Sequence, residues 1–306
     1  TAEKRSEKLG DVPMSIGVLS PEALKNTNAT SLTDFASLVP GLSIASGGTP
    51  GVGGIVIRGL ATGANNSFNA PLVATYVDDL PIGGSAGGYG GSRGGFFTLD
   101  LMPYDIDQIE VLKGPQGTLY GADAMGGIVK YTMKKPDLEN MEVQAGADSA
   151  IADHAGSPDG GVRAAVNVPI ISDTLAVRVS GYYKDVAGWI DNLGTRKDDS
   201  NSSKTYGGRL SVLWQSIDSL SIELSAMMQG IHSDDVSAVM VDGVTGKPLY
   251  GDATHSTHFA EPFSQQASQY AMRVNWDAGF GTFTNSASYS YLRNTATDDL
   301  STVPYV

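Results

Sequence analysis

Three of the four histidines, His232, His255 and His258, share one stretch with Asp234, Asp235, Asp252 and Glu261. Imidazole nitrogens and carboxylate oxygens are donors a divalent cation takes, and His255 and His258 are its weak candidate ligands here. No helical pattern runs through the stretch to set ligand geometry, so a solvated loop is the favoured reading. The glycine-rich run Gly83–Gly95 lacks the G-x-x-x-x-G-K-[ST] spacing that cradles phosphates and reads as a loop. No nucleophile elbow, H-E-x-x-H pair or dinucleotide fingerprint occurs, and four histidines leave little for acid–base work. These residue types point to no enzyme, no cofactor and no firm metal site.

A different chemistry is written around Gly114, Pro115, Gly117, Tyr120, Gly121, Gly126 and Gly127. Glycines so placed permit tight turns and close strand approach where a side chain would clash, and Pro115 fixes φ at one turn. Arg58 and Lys113 stand beside such glycines, and burying either cation is costly unless it is paired.

The 306 residues carry 20 basic and 33 acidic groups, a net charge of -13, which disfavours nucleic acid as a partner. Cysteine is absent, so neither disulfides nor thiolate metal sites are available. No stretch approaches the roughly 20 apolar residues a membrane helix needs, although β-barrel strands escape that test. The start at Thr1 shows no signal peptide, as expected of a mature or trimmed exported chain. Glycine, 38 of 306, exceeds its usual share of about 7% and marks a turn-rich β protein.

Two halves differ in pattern. Residues 1–136 mix short strands (Ile55–Ile57, Leu72–Val77, Ile106–Leu112, Gly127–Met133) with a helix over Leu32 to Leu38 capped by Ser31 or Thr30. Val77-Asp78-Asp79-Leu80 reads as a tight hairpin turn. Residues 137–306 alternate with period two, as in Leu175, Val177 and Val179 against Ala176, Arg178 and Ser180. About seven strands of roughly nine to thirteen residues result, the length a tilted strand needs to cross a bilayer. Short turns at 171–174, 215–219 and 277–281 alternate with long polar loops at 150–161, 187–204 and 231–266. That asymmetry is the outer-membrane barrel pattern, with Trp214, Trp276, Tyr183, Tyr289 and Tyr291 suited to an interfacial girdle. A soluble sandwich, as in a secreted all-β carbohydrate-binding or polysaccharide-active protein, is the competing reading. Seven strands leave unpaired edges in lipid, so a further portion of barrel is expected.

Ile106 to Asp137, IDQIEVLKGPQGTLYGADAMGGIVKYTMKKPD, closely resembles the segment that ends the plug of TonB-dependent outer-membrane receptors. Upstream, DVPMSIGVLSPEAL, LTDFASLVPGLSI, VIRGL and YVDDLPI are similar to that family's earlier plug motifs, in order, with Asp79 where glycine is usual. The resemblance implies an α+β plug domain (1–136) and then the N-terminal part of a transmembrane antiparallel β-barrel (137–306) of about 22 strands. It implies uptake of a scarce ligand, with a ferric siderophore favoured, gated by the plug inside the barrel lumen of the bacterial outer membrane. The implied partners are TonB with ExbB–ExbD, outer-membrane lipid and the nutrient ligand. Thr1-Ala2 reads as the tail of a TonB box lying upstream. Plug cations at Arg58 and Lys113 are expected to pair with wall carboxylates, with Glu110 a local partner for Arg58. Apical loops carrying Asn65, Asn66 and Phe68, and Tyr89, Arg93, Phe96 and Phe97, are expected to contact the ligand.

Overall fold

The computed structural model describes residues 14–27, 29, 31–61, 72–82, 99, 101, 104–121, 124–299 and 301. Its first part runs β1 (Ser15–Leu19), α1 (Pro21–Asn26), α2 (Leu32–Ala36), β2 (Leu42–Ser46), β3 (Gly53–Ile57), β4 (Leu60–Ala61), β5 (Val73–Val77), β6 (Leu80–Pro81), β7 (Ile106–Lys113), α3 (Gly117–Tyr120) and β8 (Gly127–Met133). Five of these strands form one sheet in the order β1-β7-β8-β5-β6, and β2, β3 and β4 form a second. Within the first sheet β5 and β8 run parallel and the remaining pairs antiparallel.

Central strands β7 and β8 are apolar on both faces, as strands covered on both sides must be. On one side Phe35, Ile57, Ile109, Val111, Val129 and Tyr131 join the main core, where Phe35 meets Tyr131 edge-on with ring centroids 6.0 Å apart. Across the sheet, Tyr76, Leu112, Tyr120, Ala124 and Ile128 form a smaller cluster. Helix α2 delivers Leu32, Phe35 and Ala36 to the main core although it spans only 5 residues. So short a helix is marginal by itself. A capping box sustains it: the Ser31 hydroxyl accepts from Asp34 N at 3.3 Å while the Asp34 carboxylate accepts from Ser31 N at 2.9 Å. Ser31→Ala is expected to cost about 1 kcal/mol and to speed amide exchange at Asp34 and Phe35. Unchanged exchange at those two amides would refute the capping role.

The second part holds β9 (Glu142–Ala150), β10 (Asp159–Ile171), β11 (Leu175–Val186), β12 (Asp191–Asn192), β13 (Ser203–Ile217), β14 (Leu220–Ser233), β15 (Thr254–His255), β16 (Phe263–Asp277) and β17 (Thr282–Ala296). Seven of them form one antiparallel meander in the order β17-β16-β14-β13-β11-β10-β9. The expected strand count therefore holds, but β13, β16 and β17 reach 15 residues each. Their pairing continues through polar residues such as Ser203↔Ser233, where hydropathy no longer marks the alternation. The three long loops are correspondingly shorter than expected, running over 151–158, 187–202 and 234–262.

Cross-strand register sorts the side chains into two faces. Val179, Leu210, Ala226, Tyr270 and Tyr289 stand in one row, and all but Ala226 are large exposed hydrophobics. Trp214, Trp276 and Phe283 lie on the same face beside the short turns, and Val162, Tyr183 and Tyr206 lie toward the long loops. An exposed apolar band with aromatic ends is the outward surface of a bilayer-spanning barrel. The opposite face carries Arg178, Ser180, Arg209, Ser211, Gln269 and Arg273, and against it the first sheet packs.

Candidate functional site at the plug and wall interface

Two clusters of charge join the parts. Asp105 immediately precedes β7 and sits at a φ of 57°, a left-handed conformation that aspartate tolerates. Its carbonyl accepts from Lys134 N at 3.1 Å, which ties the ends of β7 and β8 together. Its carboxylate receives the fork of Arg178 from β11, with Nε 3.0 Å from each oxygen, and both side chains are only 1% exposed. Arg178 Nη1 also reaches Glu142 of β9 at 2.8 Å. A planar guanidinium suits such two-sided recognition, whereas lysine offers a point charge.

The segment between the sheets is fastened to the same wall. Arg209 Nη1 donates to the Lys134 carbonyl at 2.9 Å, and Lys134 Nζ meets Glu142 at 2.6 Å. The Asn167 side chain exchanges two hydrogen bonds of 2.9 Å with the Asp137 backbone. The chain therefore enters β9 from a fixed position.

A second cluster forms at the β5–β6 hairpin. Asp79 lies in the two-residue turn between the paired Val77 and Leu80, after Asp78 at a φ of 55°. One Asp79 oxygen accepts from Lys130 of β8 at 2.8 Å and the other pairs with Arg273 of β16. Glu110 of β7 lies 3.7 Å from Lys130 and accepts from Gln108 Nε2 at 3.0 Å. Burial pulls the Lys130 ammonium below the usual lysine range, against the opposing fields of Glu110 and Asp78. Nearby, burial and the charge of Glu110 push the Tyr120 phenol up to about 12, so it stays protonated and neutral. The Tyr76 hydroxyl donates to the Tyr120 carbonyl.

These clusters differ from the expected pairing of plug cations with wall carboxylates. Glu110 faces Lys130, and among the described residues no acidic group lies within ion-pairing distance of Arg58 or Lys113. Arg58 is exposed, with a φ of 52°. Apart from Lys134 with Glu142 at the junction, the plug-to-wall pairs that do form run with opposite polarity, from Asp105 and Asp79 to wall arginines. Their sequence signal was arginine recurring on the polar face of alternating strands, at Arg178, Arg209 and Arg273.

The glycine segment folds as a turn with unequal demands on its members. Gly114 N donates to the Gly126 carbonyl at 3.1 Å, and Gln116 N to the Ala124 carbonyl at 2.8 Å. Exposed Pro115 leads into α3, whose Tyr120 is buried, and Gly121 ends that helix at a φ of 85°. At Gly117 an added Cβ would meet nothing, whereas at Gly127 it would strike the Leu112 carbonyl.

His255 and His258 turn to different carboxylates, Nε2 of the first 3.4 Å from Asp235 and Nδ1 of the second 3.4 Å from Asp299. Among the described residues no group of three or more metal-type donors gathers. The stretch is less solvated than its composition suggests. His255 and Asp235 are buried in a knot where Asn192 donates to Asp235 at 2.9 Å and to Thr257 at 2.7 Å, tying the two long loops together. Burial works to raise the Asp235 pKa, but contacts from His255 and Asn192 and the N–H groups of Glu261 and Val236 hold it well below the usual range. The ligand-contact candidates Asn65, Asn66, Phe68, Tyr89, Arg93, Phe96 and Phe97 lie outside the described residues.

An α+β domain packed on the polar face of an apolar-banded antiparallel meander defines the class: a plugged β-barrel. Residues 8–128 match the family profile described as the TonB-dependent Receptor Plug Domain. The vitamin B12 transporter BtuB of Vibrio vulnificus is 29% identical over 210 residues, 68% of this chain and 30% of that protein. The ferrioxamine receptor of Yersinia enterocolitica is 26% identical over 95% of this chain and 37% of its own length. In fold, the chain is similar to the crystal structure of the ferric yersiniabactin uptake receptor FyuA from Yersinia pestis. That match has a TM-score of 0.74 at 20% identity, over 94% of this chain and 42% of that one. Residues 8–128 thus carry a TonB-dependent receptor plug domain, and the chain spans about a third of the length of these curated relatives.

Proposed function

We propose that the chain serves as the plug and first wall strands of an active transporter in the bacterial outer membrane, drawing in a scarce ligand. The observation that carries this reading is the two-faced meander, apolar outward and arginine-rich toward a plug held by ion pairs. Residues 1–136 act as the plug within the lumen and 137–306 as wall. The Arg58 and Lys113 cations wait for wall carboxylates outside this chain, and the apical segments around Asn65, Asn66, Phe68, Tyr89, Arg93, Phe96 and Phe97 meet the ligand. TonB, energised by ExbB–ExbD, captures an extended segment ahead of β1 by strand addition and pulls on the plug. A ferric siderophore is the favoured ligand, since relatives are named for ferrioxamine and ferric yersiniabactin, with vitamin B12 the nearest rival.

The test is uptake by cells producing the full-length protein, offered iron chelates, cobalamin and oligosaccharides with and without TonB. Saturable, TonB-dependent uptake of an iron chelate is expected, from protein that leaves outer membranes only in detergent. Release into buffer would sink the reading in favour of a secreted β protein, and uptake of cobalamin alone would overturn the ligand.

A further inference from the structure

The two plug-to-wall carboxylates are built to different strengths. Asp105 and Arg178 are sealed from solvent, Asp105 next to a backbone bond that joins β7 to the exit segment. The side chains of Asp79 and Arg273 stay 24% and 17% exposed, so water screens their attraction and competes for both groups. Asp79 is also shared. Lys130 holds one oxygen from inside the plug, and this pair remains when the wall lets go. Arg273 likewise keeps another partner, Ser286 Oγ at 3.5 Å, and the carboxylate of Glu223, which pairs with Arg209, stands on the residue opposite it in register. Neither partner of the Asp79–Arg273 contact is stranded by its rupture, whereas separating Asp105 from Arg178 strands a buried carboxylate.

The hairpin also hydrogen-bonds the wall, beside apolar packing in which wall residues Ala267 and Leu292 join the core that holds Val77 and Ile82. The Pro81 carbonyl accepts from Gln269 Nε2 at 3.2 Å and from Ser290 Oγ at 3.4 Å. The hairpin itself is held to the plug by β5 pairing with β8, by Asp78 N donating to Tyr131 O at 2.7 Å and by Met133 N donating to the Asp78 carboxylate at 3.0 Å. Leaving the wall therefore breaks one ion pair, two hydrogen bonds and a small apolar contact, and none of the hairpin's own fold.

We propose that Asp79 is a releasable ionic latch that docks the β5–β6 hairpin on wall strand β16, while the Asp105–Arg178 clamp stays closed. The plug then loosens along its hairpin edge and remains anchored at its exit. This deepens the transporter reading and rests on it for purpose, though not for detection.

Amide exchange on the full-length protein in outer-membrane vesicles tests it, comparing peptides covering 72–82 with those covering 106–113 and 127–133. Arg273→Gln leaves the Asp79–Lys130 pair intact. It is expected to speed exchange in 72–82 about fivefold and leave the other two segments unchanged. Asp79→Asn should speed 72–82 at least as much, since it also gives up the Lys130 pair, and the double variant should do no more than Asp79→Asn, because the Arg273 contact is already lost in it. Arg273→Lys should fall between, since it keeps the charge and loses the fork. Unchanged exchange in 72–82, acceleration spread evenly across the plug, or effects that multiply in the double variant would each overturn the latch. TonB-dependent uptake is scored separately: its absence beside the expected exchange pattern overturns the transport reading and leaves the latch standing.

Discussion

Arg178→Ala is expected to lower the stability of the docked plug by about 3–5 kcal/mol, among the largest losses available to one substitution in this chain. The reason is the charge left behind more than the bond removed. Asp105 is sealed beneath β7 and takes both of its guanidinium contacts from Arg178, so truncation leaves a carboxylate with neither water nor a cation. Glu142 suffers less, since Lys134 still holds it at 2.6 Å. Asp105→Asn with Arg178→Met removes both charges while keeping volume, and most of the loss should return, because apolar replacement of a buried pair is often neutral. The measurement is the calorimetric unfolding of the full-length protein, with amide exchange over Ile106–Lys113 as the local readout. A loss of no more than about 1 kcal/mol, the worth of an exposed pair, would refute the sealed clamp.

Gly127→Ala is the second large effect, expected at about 3 kcal/mol or more through two costs at one position. The residue holds a φ of 141°, which side chains rarely adopt, and an added Cβ would press on the Leu112 carbonyl and come within 2.9 Å of Ile57 Cδ1. Backbone strain and overpacking in a filled core each cost roughly 1–3 kcal/mol. Neither neighbour can yield freely, since Leu112 belongs to a strand bonded on both sides and Ile57 is fully buried. Gly117→Ala is the control within the same motif. It has space, no positive φ and a place in α3, and is expected to be neutral or slightly stabilising. Loss of folded protein for Gly127→Ala beside normal Gly117→Ala would bear this out; equal behaviour of the two would refute it.

Much of the plug was legible because its signals are local. The capping residues of α2, the Val77–Leu80 turn and the apolar runs of β7 and β8 each declare a short element from neighbouring residues. The wall strands were legible through alternation, and they ran past their expected ends only where the pairing outlasts the hydrophobic signal. Elements with weaker marks were missed. Strand β1 is a five-residue edge with mixed burial, and α1 is a single capped turn ahead of Thr27.

The candidate site was legible in kind and not in its pairs. Glycines concentrated at one turn, and cations beside them, announced a tightly packed polar interface. Which acid meets which base did not follow, because the partners stand far apart in sequence and are joined only by docking. Asp105 and Arg178 are 73 positions apart, and Asp79 and Arg273 are 194. The loop histidines make the same point in reverse: neighbours in sequence, they turn to carboxylates on different segments.

By itself the sequence determined a plug-like α+β domain followed by alternating strands with one apolar face, since caps, turns and two-residue periodicity depend only on nearby residues. Tertiary structure alone decided that the plug carboxylates Asp105 and Asp79, rather than Arg58 and Lys113, pair with this stretch of wall, and that one clamp is sealed while the other stays wet. Burial and opposition across an interface set those strengths, and both arise only when the two sheets meet.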